Sequence, residues 1–122
     1  MKVSVLLLRC TILLIASLFT GTAYTQVDTL FWFAAPEVSA SAGDSPIYLR
    51  FMTYGAAANV QVSMPANGGF VPINIAIPAN SVDNINLTPY LSSVESPAGN
   101  VVANNGIKIT SSENISAFYE LK

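Results

Sequence analysis

Short runs of alternating polarity constrain the fold of this chain more than any other feature of its sequence. In IYLRFMTY, Ile47, Leu49 and Phe51 fall on one side of an extended chain, and the residues between them fall on the other. The same alternation recurs in the segments NVQVSM, INIAI, INL, IKI and ISAFYEL. A period of two with β-branched and aromatic residues is typical of half-buried strands. The sequence therefore predicts an all-β fold, an antiparallel β-sandwich of about seven short strands, with a barrel as the alternative.

The segments between these runs are rich in turn-forming residues. Asn67-Gly68-Gly69 and Asn105-Gly106 can supply the positive φ angles that tight hairpins require. One short helix is predicted in TPYLSSVE, with Thr88 as the N-cap and Pro89 at the first helical position. This helix would cross one end of the sheet.

Three adjacent aromatic residues, Phe31, Trp32 and Phe33, lie in the segment LFWFAA. In an extended chain Trp32 points to one side and the two phenylalanines to the other, so both sides of the segment are apolar. Such a segment is typical of a strand covered on both sides. An exposed stacking platform for a ligand is the alternative, but its aromatic residues would more often share one side. We therefore expect a core strand that ends at Pro36.

The N-terminal residues have the layout of a secretory signal peptide. Lys2 and Arg9 are followed by the apolar run 11–19, and small residues precede two plausible cleavage points, after Ala23 or after Thr25. An uncleaved membrane anchor is the alternative. It is disfavoured because Arg9 interrupts the span and the apolar run falls well short of the roughly 20 residues that cross a bilayer.

Two domains are thus expected, a signal peptide over residues 1–25 and a β-rich domain over residues 26–122 that is secreted or held at the cell surface. The mature part would carry three basic residues against seven acidic ones, a net charge of −4. No basic patch is available to neutralise phosphates, so nucleic acid is not an expected partner. The only cysteine, Cys10, lies in the signal peptide, and the mature chain is therefore expected to lack disulfides and thiol chemistry.

The residue types needed for most catalytic sites are missing from the sequence. There is no histidine, and the mature part has no cysteine, which excludes nucleophile–histidine dyads and imidazole or thiolate metal sites. The acidic residues are scattered along the chain. Asp28, Glu37 and Asp44 flank the first two strands and could gather around a calcium ion, although no ligand-dense loop is present. We expect no enzyme activity, no cofactor and no bound metal.

Tyr48, Arg50 and Tyr54 share the predicted outer side of one strand. Tyrosine and arginine are enriched at binding hot spots, which makes these three the candidate binding residues for an extracellular protein or glycan. The alternative is a structural spacer that has no ligand of its own. In that case another part of the domain would cover the same side chains.

The chain resembles the N-terminal domain family related to IgGFc-binding protein. The resemblance covers essentially all of residues 28–122 and is carried, in order, by the segments DTLFWFAAPE, GDSPIYLRF, ANVQVSMPANGGFVPINIAIPANSVDNINLT and NNGIKITSSENISAFYE. Members often carry His-Gly-Asp-Arg-Pro where this chain has Ala42-Gly43-Asp44-Ser45-Pro46. Any role that this histidine and arginine have in family members is therefore not expected of Ala42 and Ser45 in this chain.

This resemblance implies an extracellular, non-enzymatic, β-rich module of an adhesin-like surface protein. The most similar versions begin large exported proteins of Bacteroidetes, which often end in a gliding-motility-associated, type IX secretion sorting domain. In such proteins the domain continues beyond the point that corresponds to Lys122. The resemblance therefore leads us to expect an incomplete domain over residues 26–122, with further domains of the same polypeptide as its neighbours.

Overall fold

The computed structural model describes residues 26–36, 45–96 and 102–121. Six strands are present there: β1 Asp28–Phe33, β2 Ile47–Thr53, β3 Ala58–Ser63, β4 Ile73–Ile77, β5 Val82–Asn86 and β6 Ile107–Leu121. A 3-10 turn, Thr88–Tyr90, leads into the single-turn helix α1, Leu91–Val94. In these ranges no helix has the length and apolar character needed to cross a bilayer. The predicted signal peptide, Glu37 and Asp44 lie outside the described residues.

The six strands form one antiparallel sheet in which β6 is the central strand. The order is β4-β3-β6-β2-β5, and β1 pairs with β6 as well. Because β6 has fifteen residues, β2 pairs with its C-terminal half and β3 with its N-terminal half. β1 must lie on the opposite edge of β6 from both, because it pairs with Lys108 and with Ile115, where β3 and β2 also pair. The sheet curls until it is nearly closed as a barrel.

The all-β, antiparallel part of the prediction is confirmed, whereas a sandwich of about seven strands is not. The apolar runs IKI and ISAFYEL, which suggest two strands in the sequence, belong to the single strand β6. The polar residues 110–114 between them remain extended. The described strands consequently number six and share one sheet.

One hydrophobic core fills the inner side of the curled sheet. The alternating residues of β2 that the sequence places on one side are all buried, as are those of β3. Val94 of α1 is buried in the same core. The buried apolar side chains that pack together in this core are Phe31, Ile47, Leu49, Phe51, Ala58, Val60, Val62, Met64, Ile77, Ile85, Leu87, Val94, Ile107, Ile109 and Ile115.

The aromatic segment of β1 corrects the expectation of a strand covered on both sides. Phe31 is 5% exposed and lies in the core, but Trp32 is 58% exposed and Leu30 45%. The reason is that the described strands form a single sheet, so no second sheet packs on the outer side of β1. On that side the Lys108 ammonium lies 5.8 Å from the centroid of the Trp32 ring.

Two local predictions about turns are also wrong. The Thr88 hydroxyl caps no helix; it accepts a hydrogen bond from the Ile47 N–H at 3.0 Å and so fixes the start of β2. β3 and β4 do pair on either side of Asn67-Gly68-Gly69, but neither Gly68 nor Gly69 has a φ between +20° and +160°. The left-handed position is Asn80, with a φ of 53°, in the turn between β4 and β5.

Candidate functional site

The three predicted binding residues all lie on the outer side of the sheet, spread along β2 and the residue that follows it. Tyr48 and Arg50 are on β2, where their neighbours across the ladders are Asn86 and Glu120 for Tyr48, and Asn84 and Phe118 for Arg50. Tyr54 follows the last residue of β2. All three side chains are at least partly exposed, as their placement on the outer side requires.

Arg50 is held by an ion pair with β6. Its Nη2 atom lies 2.8 Å from Oε2 of Glu120, and both side chains are between a third and two-fifths exposed. At this exposure the pair contributes little to stability, since solvent screens it. The Nε of Arg50 is buried and has no hydrogen-bond partner within the described ranges. The ion pair directs the guanidinium toward Glu120, and the exposed N–H groups that are not in this pair can serve a ligand.

Tyr54 is held in a similar way. Its hydroxyl is hydrogen-bonded to Oγ of Ser116 at 2.8 Å, and Ser116 also donates to the backbone carbonyl of Gln26 at 3.4 Å. Ser116 is buried, so this bond anchors the end of the tyrosine side chain while 38% of the residue stays exposed. The ring is thus presented to solvent in one orientation.

Two apolar side chains that sequence analysis did not select as binding residues complete this surface. Phe118 is 50% exposed and Met52 is 37% exposed, and both are on the outer side next to Arg50 and Ser116. The alternation of ISAFYEL does place Phe118 opposite the core residues, so the signal was present in the sequence. We call this surface the outer patch; it consists of Tyr48, Arg50, Met52, Tyr54, Phe118 and Glu120.

The outer patch borders an open depression of about 470 Å³, with Met52, Tyr54 and Phe118 among its lining residues. Aromatic residues, methionine and arginine are the types enriched at protein interfaces. Contiguous exposed apolar surface rimmed by polar groups marks interaction sites in soluble proteins. The composition and the shape of the outer patch therefore both fit a protein-binding surface.

A second, polar groove lies on the outer side of β3, β4 and the N-terminal half of β6. It has a volume of about 560 Å³, and all of its lining side chains are uncharged. Within it the Gln61 side-chain amide donates to Asn74 Oδ1 at 3.0 Å. Because these amides bond to one another in the open, the groove is a solvated part of the sheet rather than a pre-formed site.

The most perturbed titratable group lies on the inner side, away from the outer patch. Burial raises the pKa of Tyr119, and the nearby Glu95 carboxylate raises it further. The Tyr119 hydroxyl and Oε1 of Glu95 are buried without hydrogen-bond partners among the described residues. The Tyr119 hydroxyl therefore stays protonated to a higher pH than that of a free tyrosine.

Acidic residues do not gather into a metal site in the described ranges. No group of three or more acidic, histidine or cysteine side chains with the spacing of metal ligands occurs there. Asp28, one of the three acids weighed for calcium, uses Oδ1 to accept a hydrogen bond from the Thr29 N–H at 2.6 Å.

Comparisons of the chain with protein-family models, with curated proteins and with solved structures find no match.

Proposed function

We propose that this chain is a non-catalytic extracellular module of a larger exported surface protein, and that its outer patch binds a protein ligand. The observation that carries the proposal is the outer patch itself. Phe118 and Met52 are exposed beside an arginine and a tyrosine that are each fixed by a contact with β6. Side chains that are already ordered lose less conformational entropy on binding, which favours such residues as anchors.

The extracellular location rests on two features of the sequence. The N-terminal residues have the layout of a signal peptide, and residues 28–122 resemble the N-terminal domain of adhesin-like surface proteins. A membrane-exported module without cysteine in its mature part depends on its hydrophobic core for stability. The core of the curled sheet meets that requirement without occupying the outer patch.

Binding can be tested on an array of extracellular proteins and glycans probed with the purified protein. We expect a reproducible protein hit whose dissociation constant rises roughly tenfold or more with Phe118→Ser or Arg50→Ala, as hot-spot substitutions do. Val71→Ser is the matched control, because Val71 is an apolar side chain, 76% exposed, outside the outer patch. This control should bind as the unmodified protein does, and all variants should keep its circular dichroism spectrum.

A structural spacer is the second candidate function. It is favoured by the contacts that Arg50 and Tyr54 make within the sheet, because intramolecular partners also stabilise a purely solvated surface. Absence of any reproducible hit on the array would support the spacer. A glycan hit that survives Phe118→Ser would exclude the outer patch as its binding surface.

A further inference from the structure

Two asparagine residues of the chain are followed by glycine, in the pairs Asn67-Gly68 and Asn105-Gly106. In such a pair the backbone nitrogen of the glycine can attack the side-chain amide carbon of the asparagine and displace ammonia. Glycine favours this reaction because it has no Cβ to hinder the approach and because its backbone is conformationally permissive. Which of the two pairs reacts therefore depends on how the fold holds each of them.

The pair Asn67-Gly68 lies in the loop between β3 and β4. The Asn67 N–H donates to the Met64 carbonyl at 2.9 Å, and the Phe70 N–H donates to the Asn67 carbonyl at 3.1 Å. Gly68 lies between these two bonds, is exposed, and donates no backbone hydrogen bond within the described ranges. A Cβ built at Gly68 would have no neighbour within 4 Å. The attacking nitrogen is thus unpaired and unhindered.

The side-chain amide of Asn67 is held beside the two glycines. Its Oδ1 atom accepts a hydrogen bond from the Gly69 N–H at 3.1 Å. This bond closes a turn that contains both the Asn67 amide carbon and the Gly68 nitrogen, so the two reacting atoms stay near each other. It also withdraws electrons from the side-chain carbonyl, which makes the amide carbon a better electrophile. The Asn67 amide nitrogen, the leaving group, bonds to none of the described residues.

The pair Asn105-Gly106 is held differently. The side-chain amide nitrogen of Asn105 donates a hydrogen bond to the backbone carbonyl of Glu95. Asn105 and Gly106 are both half-buried, and a Cβ built at Gly106 would lie 3.8 Å from the Trp32 ring. The Asn105 amide must therefore give up its bond to Glu95 before its nitrogen can leave, in a segment that packs against Trp32.

We propose that Asn67 is a site of spontaneous deamidation in the folded protein and that the fold protects Asn105 from the same reaction. The Gly68 nitrogen loses its proton to solvent and bonds to the amide carbon of Asn67. The bond from that carbon to Nδ2 breaks, and the nitrogen takes up a proton from water and leaves as ammonia. Water then opens the cyclic imide at one of the two C–N bonds of its ring. Each event consumes one water molecule and releases one ammonia.

The two directions of ring opening give aspartate or isoaspartate at position 67. Either product adds a negative charge to the β3–β4 loop of a chain that is already acidic. In isoaspartate the main chain runs through the former side-chain carbon, which lengthens the loop backbone and disturbs the turn bonds to Met64 and Phe70. We therefore expect the isoaspartate form to unfold at a lower temperature than the aspartate form.

The reaction is intramolecular and needs only the Asn67 side chain, the Gly68 backbone nitrogen and solvent. Both residues lie within the described ranges. Neither belongs to the outer patch, so the modification is independent of ligand binding there.

Peptide mapping by mass spectrometry tests the proposal on the purified, folded protein during prolonged incubation in mildly alkaline buffer. The quantity measured is the fraction of each asparagine that has gained the mass of an amide-to-acid conversion. We expect conversion at Asn67 to be roughly tenfold or more faster than at Asn105, a ratio on the scale of one retained hydrogen bond. In denaturant the two rates should become similar, because the fold no longer holds Asn105.

The matched variant is Gly68→Ala. Its Cβ hinders the attack on Asn67, whereas the fold should accept it, because the space around Gly68 is open and its φ is not left-handed. We expect Gly68→Ala to slow conversion at Asn67 roughly tenfold or more and to leave the rate at Asn105 unchanged. Asn67→Asp, which reproduces the aspartate product, should keep the circular dichroism spectrum and melting temperature of the unmodified protein.

Equal rates at Asn67 and Asn105 in the folded protein would overturn the proposal, as would faster conversion at Asn105. A ratio that persists unchanged in denaturant would assign the difference to the local sequences and contradict protection by the fold. Unchanged conversion at Asn67 in a folded Gly68→Ala variant would exclude attack by the Gly68 nitrogen.

Discussion

Phe31 and Trp32 are neighbours in the chain but lie in opposite environments. Phe31 packs in the core and stacks against Phe33, with ring centroids 6.4 Å apart. Trp32 lies on the outer side of β1, where its only described charged contact is Lys108. Their substitution by alanine therefore separates the cost of core packing from the cost of a surface contact.

We expect Phe31→Ala to lower the free energy of unfolding by about 3–5 kcal/mol, as truncations of buried aromatic residues do. Trp32→Ala should cost about 1 kcal/mol, the scale of an exposed cation–π contact and partial burial. Denaturant unfolding followed by circular dichroism measures both values. Equal losses would show that a further segment covers Trp32.

The difference between Phe31 and Trp32 also shows how much the sequence predicts about a single residue. Alternation predicted correctly that Trp32 and Phe31 point to opposite sides of β1. It could not predict whether a second layer covers the outer side, because that depends on how the whole sheet curls. The same limit applies to Phe118: alternation predicted the side of the strand on which it lies, but not that it is exposed there.

At the scale of elements, the sequence predicted the positions of most strands but did not predict that two apolar runs belong to one strand. β2, β3 and β4 coincide closely with alternating runs in the sequence. β6 was predicted as two strands because the polar residues between its halves carry no apolar alternation, although they remain extended beside β3. The helix was placed correctly at α1. The hydrogen bond between Thr88 and Ile47 of β2 could not be predicted, because the two residues are far apart in the sequence and meet only in the folded chain.

The hydroxyl of Thr53, a buried residue at the end of β2, forms hydrogen bonds to the turn between β4 and β5. Thr53 Oγ1 donates to the Pro78 carbonyl at 2.5 Å and accepts from the Ser81 N–H at 3.0 Å. We expect Thr53→Val to cost about 1–3 kcal/mol, because the Pro78 carbonyl and the Ser81 N–H both lose the hydroxyl that bonds to them. Thr110→Val, in the outer groove, should change stability by less than about 0.5 kcal/mol. Thermal unfolding of both variants measures the difference in stability. Equal losses of stability would contradict a structural role of the Thr53 hydroxyl.

At the scale of the whole molecule, the proposed function requires that the chain be exported. We expect mass spectrometry of the protein from its native host to find a mature N-terminus at Tyr24 or Gln26, since cleavage follows Ala23 or Thr25. An intact Met1 on a membrane-bound form would contradict export by a cleaved signal. The same measurement defines the chain that precedes β1 in the working protein.

The central position of β6 has a consequence for when the molecule can fold. β6 comes last among the described strands, yet β1, β2 and β3 all pair with it. Before residues 107–121 have been synthesised, only the β3–β4 and β2–β5 ladders can form, and isolated strand pairs are marginal in water. Contacts so distant in sequence also form slowly. The sheet that the described strands form can therefore assemble only after residues 107–121 have been synthesised.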